Sequence, residues 1–166
     1  MSDLPEFRIV PAAPADVPEI HAMVQELAEY EKLTHLCVSR AEDIAAALFG
    51  PQASAEVLLG YEGAAPAAFA LFFHNYSTFL GRRGLYLEDI FVRPPFRRRG
   101  YAGRILAHLA ALAVERGCGR FEWSVLDWNA PAIGFYQSLG AEVLPDWRIT
   151  RMTGDSLARL ASKAQG

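Results

Sequence analysis

Cysteine is scarce in this 166-residue chain: Cys37 and Cys118 are the two present, and neither belongs to a CxxC pair. That excludes a disulfide-stapled scaffold and points to reduced thiols. His21, His35, His74 and His108 share no ligand spacing with them, so no metal site is expected. Long hydrophobic runs are missing too. No stretch approaches the roughly 18 apolar residues of a membrane span, and MSDLPEFRIV has neither the basic nor the apolar region of a secretory signal. A cytoplasmic protein with no membrane partner is expected. Positive charge is not in surplus, since 16 Lys and Arg stand against 19 Asp and Glu for a net charge of -3. That balance argues against nucleic acid held on a broad basic face. Repeats, low-complexity segments and linkers are absent, and a chain 52% hydrophobic suits one domain over residues 1–166.

What is present is a clear succession of periods. EFRIV reads as a strand, and residues 14–32 carry Ile20, Met23, Val24 and Leu27 on one side of a helix. Ser39 followed by Glu42 has capping-box spacing, so SRAEDIAAALF is expected to be a second helix. Two strands then flank a turn at 62–66, and LYLEDIFV is a third β-rich run that ends at Arg93-Pro94-Pro95, because proline cannot donate to a ladder. A helix over about 100–116 follows, with Leu106, Leu109, Ala110 and Ala113 on one face. After it come a strand in RFEWSVL, a helix from Asn129 to Leu139 closed by Gly140, a strand or strand pair in VLPDWRITRM, and a last helix over 154–163. The order is a helical pair, an antiparallel meander, then a β-α-β unit. It implies an α+β (mixed α/β) fold, a mostly antiparallel central sheet with helices on both faces.

The stretch RPPFRRRGYAGRIL gathers Arg93, Arg97, Arg98 and Arg99 where a helix begins, with glycines at 100 and 103. Helix N-termini present unpaired N–H groups and a partial positive charge, so the turn suits a diphosphate. A solvated basic loop is the competing reading. The lysine and hydroxyl of a P-loop are missing, and no GxGxxG is completed, which excludes the commonest nucleotide sites.

The run Arg97-Arg98-Arg99-Gly100-Tyr101-Ala102 resembles the (Q/R)xxGx(G/A) signature of the Gcn5-related N-acetyltransferase (GNAT) superfamily. LYLEDIFV before it, DWNAPAIGFYQSLGA after the next strand and ELAEYEKL near the start are similar to the matching blocks of spermidine/spermine and thialysine N-acetyltransferases. The resemblance implies a GNAT fold and acetyl-CoA as cosubstrate. Its diphosphate would lie on the amides of Arg98, Arg99, Gly100, Tyr101, Ala102 and Gly103, its pantetheine arm along Phe91 and Val92, and Asn129 would touch it as well. It implies a homodimer too.

LYLEDIFV is apolar except at Glu88 and Asp89, adjacent carboxylates on what reads as a central strand. Neighbours on a regular strand face opposite ways, so they share a role only if a bulge realigns them. An alkylamine with a pKa of about 10.4 is about one part in a few thousand neutral at pH 7, a deficit of roughly 4 to 5 kcal/mol that a carboxylate base helps remove. By resemblance Glu88 is that base, Tyr136 is the acid that protonates the leaving thiolate, and Tyr30, Glu31, Asp89 and Trp147 hold the amine. The resemblance fails at Ser77 and Phe79, where the polyamine enzymes carry an acid and a tryptophan, and Arg82 and Arg83 follow. A shorter diamine or a lysine-like amino acid therefore competes with a long polyamine. A protein amine, a silent CoA-binding module and a basic-loop RNA binder are the other readings.

Overall fold

A computed structural model describes residues 4–164. Five strands form one sheet in the order β1-β2-β3-β4-β5, namely β1 Phe7–Pro11, β2 Glu56–Glu62, β3 Ala65–Ser77, β4 Arg82–Val92 and β5 Phe121–Trp123. The first four pair antiparallel and β5 joins β4 in parallel, so the sheet is mixed and mostly antiparallel. The described residues also form five α-helices: α1 Val17–Tyr30, α2 Ala41–Phe49, α3 Tyr101–Glu115, α4 Ala130–Ser138 and α5 Gly154–Ala161. The described chain divides into two compact units, one ending at Ser124 and one beginning at Val125.

In the first unit the period-2 alternation of the strands decides which helix covers which face. Val57, Leu59, Phe69 and Phe91 pack with Ile20, Met23 and Leu27 of α1 and Ile44 and Leu48 of α2. On the opposite face α3 buries Tyr101, Ile105, Leu106, Leu109 and Ala113, with Tyr101 stacked flat on Phe7 at 3.8 Å. Helices therefore lie on both faces of the sheet. The tight β2–β3 turn has Gly63 at φ 59, the left-handed conformation that a two-residue hairpin loop demands of its first residue.

Several expectations need correcting. Ala110 is exposed and Ile105 takes its place in the core, since 101, 105, 109 and 113 form one row four residues apart. The Ser39–Glu42 capping box is displaced by one residue: α2 starts after Arg40, whose N–H donates to Asp43 Oδ2 at 2.8 Å. The strand expected in VLPDWRITRM does not form among the described residues; 143–152 is irregular, with a turn at 145–146. Pro145 removes one ladder donor there, and Trp147 and Ile149 stay largely exposed rather than buried on a sheet face. In the second unit α4 is capped as expected, the Asn129 side chain accepting from the Ala132 N–H at 3.3 Å, and Gly140 at φ 96 follows its end.

Candidate functional site

β4 carries the centre of the site. Leu71 pairs with Asp89 while its neighbour Phe72 pairs with Leu87, which leaves Glu88 as the extra residue of a β-bulge. The bulge changes which way the strand faces. Before it, Leu85 and Leu87 share the face of Phe72, which holds Arg116 from the end of α3 over its ring. After it, Asp89 and Phe91 share the face of Leu71 and Phe69, the side packed on α1. Asp89 is thereby brought to Glu31, the residue that closes α1.

Charge accumulates there with little water to screen it. Burial, then the charge of Glu88, then that of Glu31, push the Asp89 carboxyl up to about 7. Burial also raises Glu31. Glu88, by contrast, is exposed. A carboxyl held near neutrality, as Asp89 is, can take a proton from an ammonium or hold a cation.

The same bulge parts β4 from β5. Their parallel pairing ends at Leu87 and Trp123. The Arg93 N–H donates to the Ala67 carbonyl on β3, so by ladder alternation Phe91 also turns its backbone to β3, while Ile90 and Val92 present theirs on the other edge. On that edge the Val92 carbonyl accepts from Arg97 Nε at 2.8 Å, while the Val92 N–H and the Ile90 groups face it without a ladder partner among the described residues.

Beyond β4 a 3-10 turn, Pro94–Phe96, leads into α3. Arg98 at φ 63 and Gly100 at φ 77 are both left-handed, and Gly100 is the N-cap with no side chain capping the helix. The first amides of α3 are thus left for another acceptor. A Cβ built on Gly100 would meet nothing within 4 Å, so the approach is open. The arginines are not the mobile set that their clustering suggests. Arg93 pairs with Glu19 and Glu26 of α1, each at 3.0 Å. Arg99 pairs with Glu62 at the end of β2, which also accepts from the Tyr101 hydroxyl. Those hydrogen bonds, Arg99 first, hold the Glu62 carboxyl below its usual range. Arg97 lies over the Tyr30 ring, and Arg98 is exposed, with neither hydrogen bond nor ion pair among the described residues.

Uncapped amides at a helix start, a strand edge leading to them and an acidic bulge further along the same strand together suit an extended ligand with an anionic end. The likeness extends beyond geometry. Residues 20–141 match the acetyltransferase (GNAT) family. The chain belongs to the GNAT acetyltransferase family. It is 36% identical to an L-ornithine N5-acetyltransferase of Arabidopsis thaliana, over 90% of this chain and 86% of that protein. It is 34% identical to a thialysine N-epsilon-acetyltransferase of Sus scrofa, over 92% of this chain and 95% of that protein. An integron cassette protein from the mobile metagenome of V. cholerae shares the fold, with a TM-score of 0.80 at 23% identity over 95% of this chain and 98% of that one. As a GNAT acetyltransferase the protein is an acyltransferase.

Of the residues expected at the GNAT site, the first unit brings together Tyr30, Glu31, Glu88, Asp89, Phe91, Val92 and the turn from Arg98 to Gly103. Asn129, Tyr136 and Trp147 belong to the second unit, where Asn129 caps α4, Tyr136 lies within that helix and Trp147 is 81% exposed. Arg82 and Arg83 open β4, six or seven residues before Asp89 and so about 20 Å away along the strand, too far to meet a carboxylate of an acceptor held at the bulge. Glu62 escaped the sequence reading. Its partners stand 37 and 39 residues away, and a glutamate ahead of a glycine turn carries no local signal of burial. Among the described residues no group of His, Cys, Asp and Glu could hold a metal ion, and no helix is long and apolar enough to cross a membrane.

Proposed function

We propose that this chain is an acetyl-CoA-dependent N-acetyltransferase acting on a primary amine of a small cationic metabolite: a diamine, a polyamine or a lysine-like amino acid. The observation that carries the reading is the division of β4 by its bulge, with the acids Glu88 and Asp89 at the bulge and a free edge running from it toward the α3 amides. The relatives named for ornithine and thialysine acetylation support a small amine as acceptor. Acetyl-CoA supplies an activated thioester. The amides from Arg98 to Gly103 bind its diphosphate, Arg98 adds a cation, Ile90 and Val92 fix the arm, and Asn129 contributes a further polar contact.

Glu88 and Asp89 act as one proton-accepting pair for the substrate ammonium. Asp89 is the member held near neutrality by its surroundings, and exposed Glu88 relays to water. Glu31 and the ring of Tyr30 hold the cationic acceptor, a role the resemblance extends to Trp147. The freed amine attacks the thioester carbonyl directly. The C–S bond breaks as the C–N bond forms, and Tyr136 gives its hydroxyl proton to the departing sulfur. No covalent enzyme intermediate and no metal take part. The protein works as a cytoplasmic homodimer, and residues 1–166 form one N-acetyltransferase domain, in keeping with a family match over residues 20–141 that begins in the first compact unit and ends within the second.

Release of free CoA is measured with acetyl-CoA and, in turn, putrescine, spermidine, lysine, ornithine, thialysine and a histone-like peptide. Turnover with a small amine and not with the peptide is expected. Turnover with the peptide alone would make it a protein acetyltransferase. Calorimetric binding of acetyl-CoA without turnover on any acceptor would leave a silent binding module, and no binding at all would remove the reading.

A further inference from the structure

Arg97 opens the signature run at the start of α3, yet its side chain is engaged within the first unit. Its Nε donates to the Val92 carbonyl at 2.8 Å. Its guanidinium stands 5.1 Å from the centre of the Tyr30 ring and 5.4 Å from that of Phe91. Both halves of this arrangement touch groups with another use. The Val92 carbonyl is an acceptor on the β4 edge that a further strand would need, and Tyr30 stands one residue before Glu31 at the end of α1.

We propose that Arg97 is a positioning residue that competes with the pantetheine arm for the Val92 carbonyl and, through the ring of Tyr30, couples arrival of the arm to the acceptor end of the site. The proposal rests on the acetyl-CoA reading above. In the free protein the guanidinium covers the strand edge and is held by two rings. An amide of the arm that takes the carbonyl displaces the Nε donor, and the guanidinium leaves Tyr30 for water. The face of the Tyr30 ring that held the guanidinium is then open to the substrate ammonium. Cofactor first and acceptor second is the binding order that follows.

Binding, rather than turnover, tests this. Calorimetry in one fixed salt gives the affinity for CoA and for adenosine 3′-phosphate 5′-diphosphate, which keeps the phosphates and lacks the arm. The ratio of the two dissociation constants is the contribution of the arm, and loss of a cation weakens both ligands alike and cancels from it. Arg97→Met keeps a stem of similar shape and removes the donor. The ratio is expected to rise by about three- to ten-fold, the size of one net hydrogen bond. Tyr30→Leu removes one of the two rings and is expected to raise it by a smaller factor. Thermal unfolding establishes that both variants are folded. A ratio that stays level or falls in Arg97→Met overturns the competition, and a level ratio in Tyr30→Leu overturns the coupling. A wild-type protein with no affinity for CoA would sink the acetyl-CoA reading itself, and this proposal with it.

Discussion

Asp89 owes its chemistry to one inserted residue. Without the bulge at Glu88 it would share the face of Leu85 and Leu87; with it, Asp89 meets Glu31 and loses water. The consequence is measurable in stability as well as in catalysis. A carboxyl pushed up to about 7 binds more protons in the folded than in the unfolded chain across the interval from about 4 to 7. Its contribution to stability is therefore fully present below about pH 4 and is lost as pH rises through 7. Asp89→Asn removes the titration. Relative to wild type the variant is expected to gain about 1–3 kcal/mol more at pH 8 than at pH 4, read from urea unfolding at the two pH values. An equal difference at both would mean that the carboxyl is not held protonated by the fold. The pair Glu88-Asp89 was visible in the sequence. Which of the two is perturbed was not, because Glu31 and the covering helix reach Asp89 from 58 positions away.

At the scale of elements, β-rich runs bounded by turns located all five strands to within a few residues, the helical period found α1 and α3, which each face a single covered side, and the capping-box spacing found α2. Local signals failed where a partner was missing or distant. The capping box slipped by one residue because two acids, Glu42 and Asp43, stand side by side and only the backbone angle at Arg40 decides between them. The apolar content of 143–152 suggested a strand, but strand formation needs a neighbouring ladder that composition cannot display. The packing of β1 against α3 was equally invisible and carries a prediction. A Cβ on Gly60 would stand 2.5 Å from the tip of the Phe7 ring, which is stacked on Tyr101 and lies under Arg104 at 4.9 Å. The ring cannot withdraw without breaking that stack, so Gly60→Ala is expected to cost about 1–3 kcal/mol. Because Tyr101 is the first residue of α3, the affinity for CoA is expected to fall with it. A shift in the urea midpoint of less than about 0.5 kcal/mol equivalent would show that β1 adjusts freely.

Across the whole molecule, burial and site residues are distributed differently. Every buried residue among those described lies at or before Ala113, within the unit that ends at Ser124. The second unit, which carries Asn129, Tyr136 and Trp147, keeps Leu144, Ile149, Leu157 and Leu160 from about half to more than two thirds exposed. One run of periodic elements without a linker gave no sign of this division, because uniform composition conceals how unequally the elements are buried. Opening free energies should follow burial. Amides of β2 and β3, and those of β4 that pair with β3 or β5, are expected to exchange with solvent deuterium only on global unfolding. Those of 143–152, where Trp147 N–H to the Leu144 carbonyl is a long 3.4 Å bond, should exchange orders of magnitude sooner. Acetyl-CoA binding by the proposed route adds protection at chosen positions: the amides of Ile90 and Val92 on the open edge and those from Arg98 to Gly103, with no comparable change at Leu58 or Leu59 in the middle of β2. Protection appearing in β2 as much as in the α3 turn would mean that the ligand tightens the whole unit instead of lying along one strand edge, and the edge would lose its assigned part in binding.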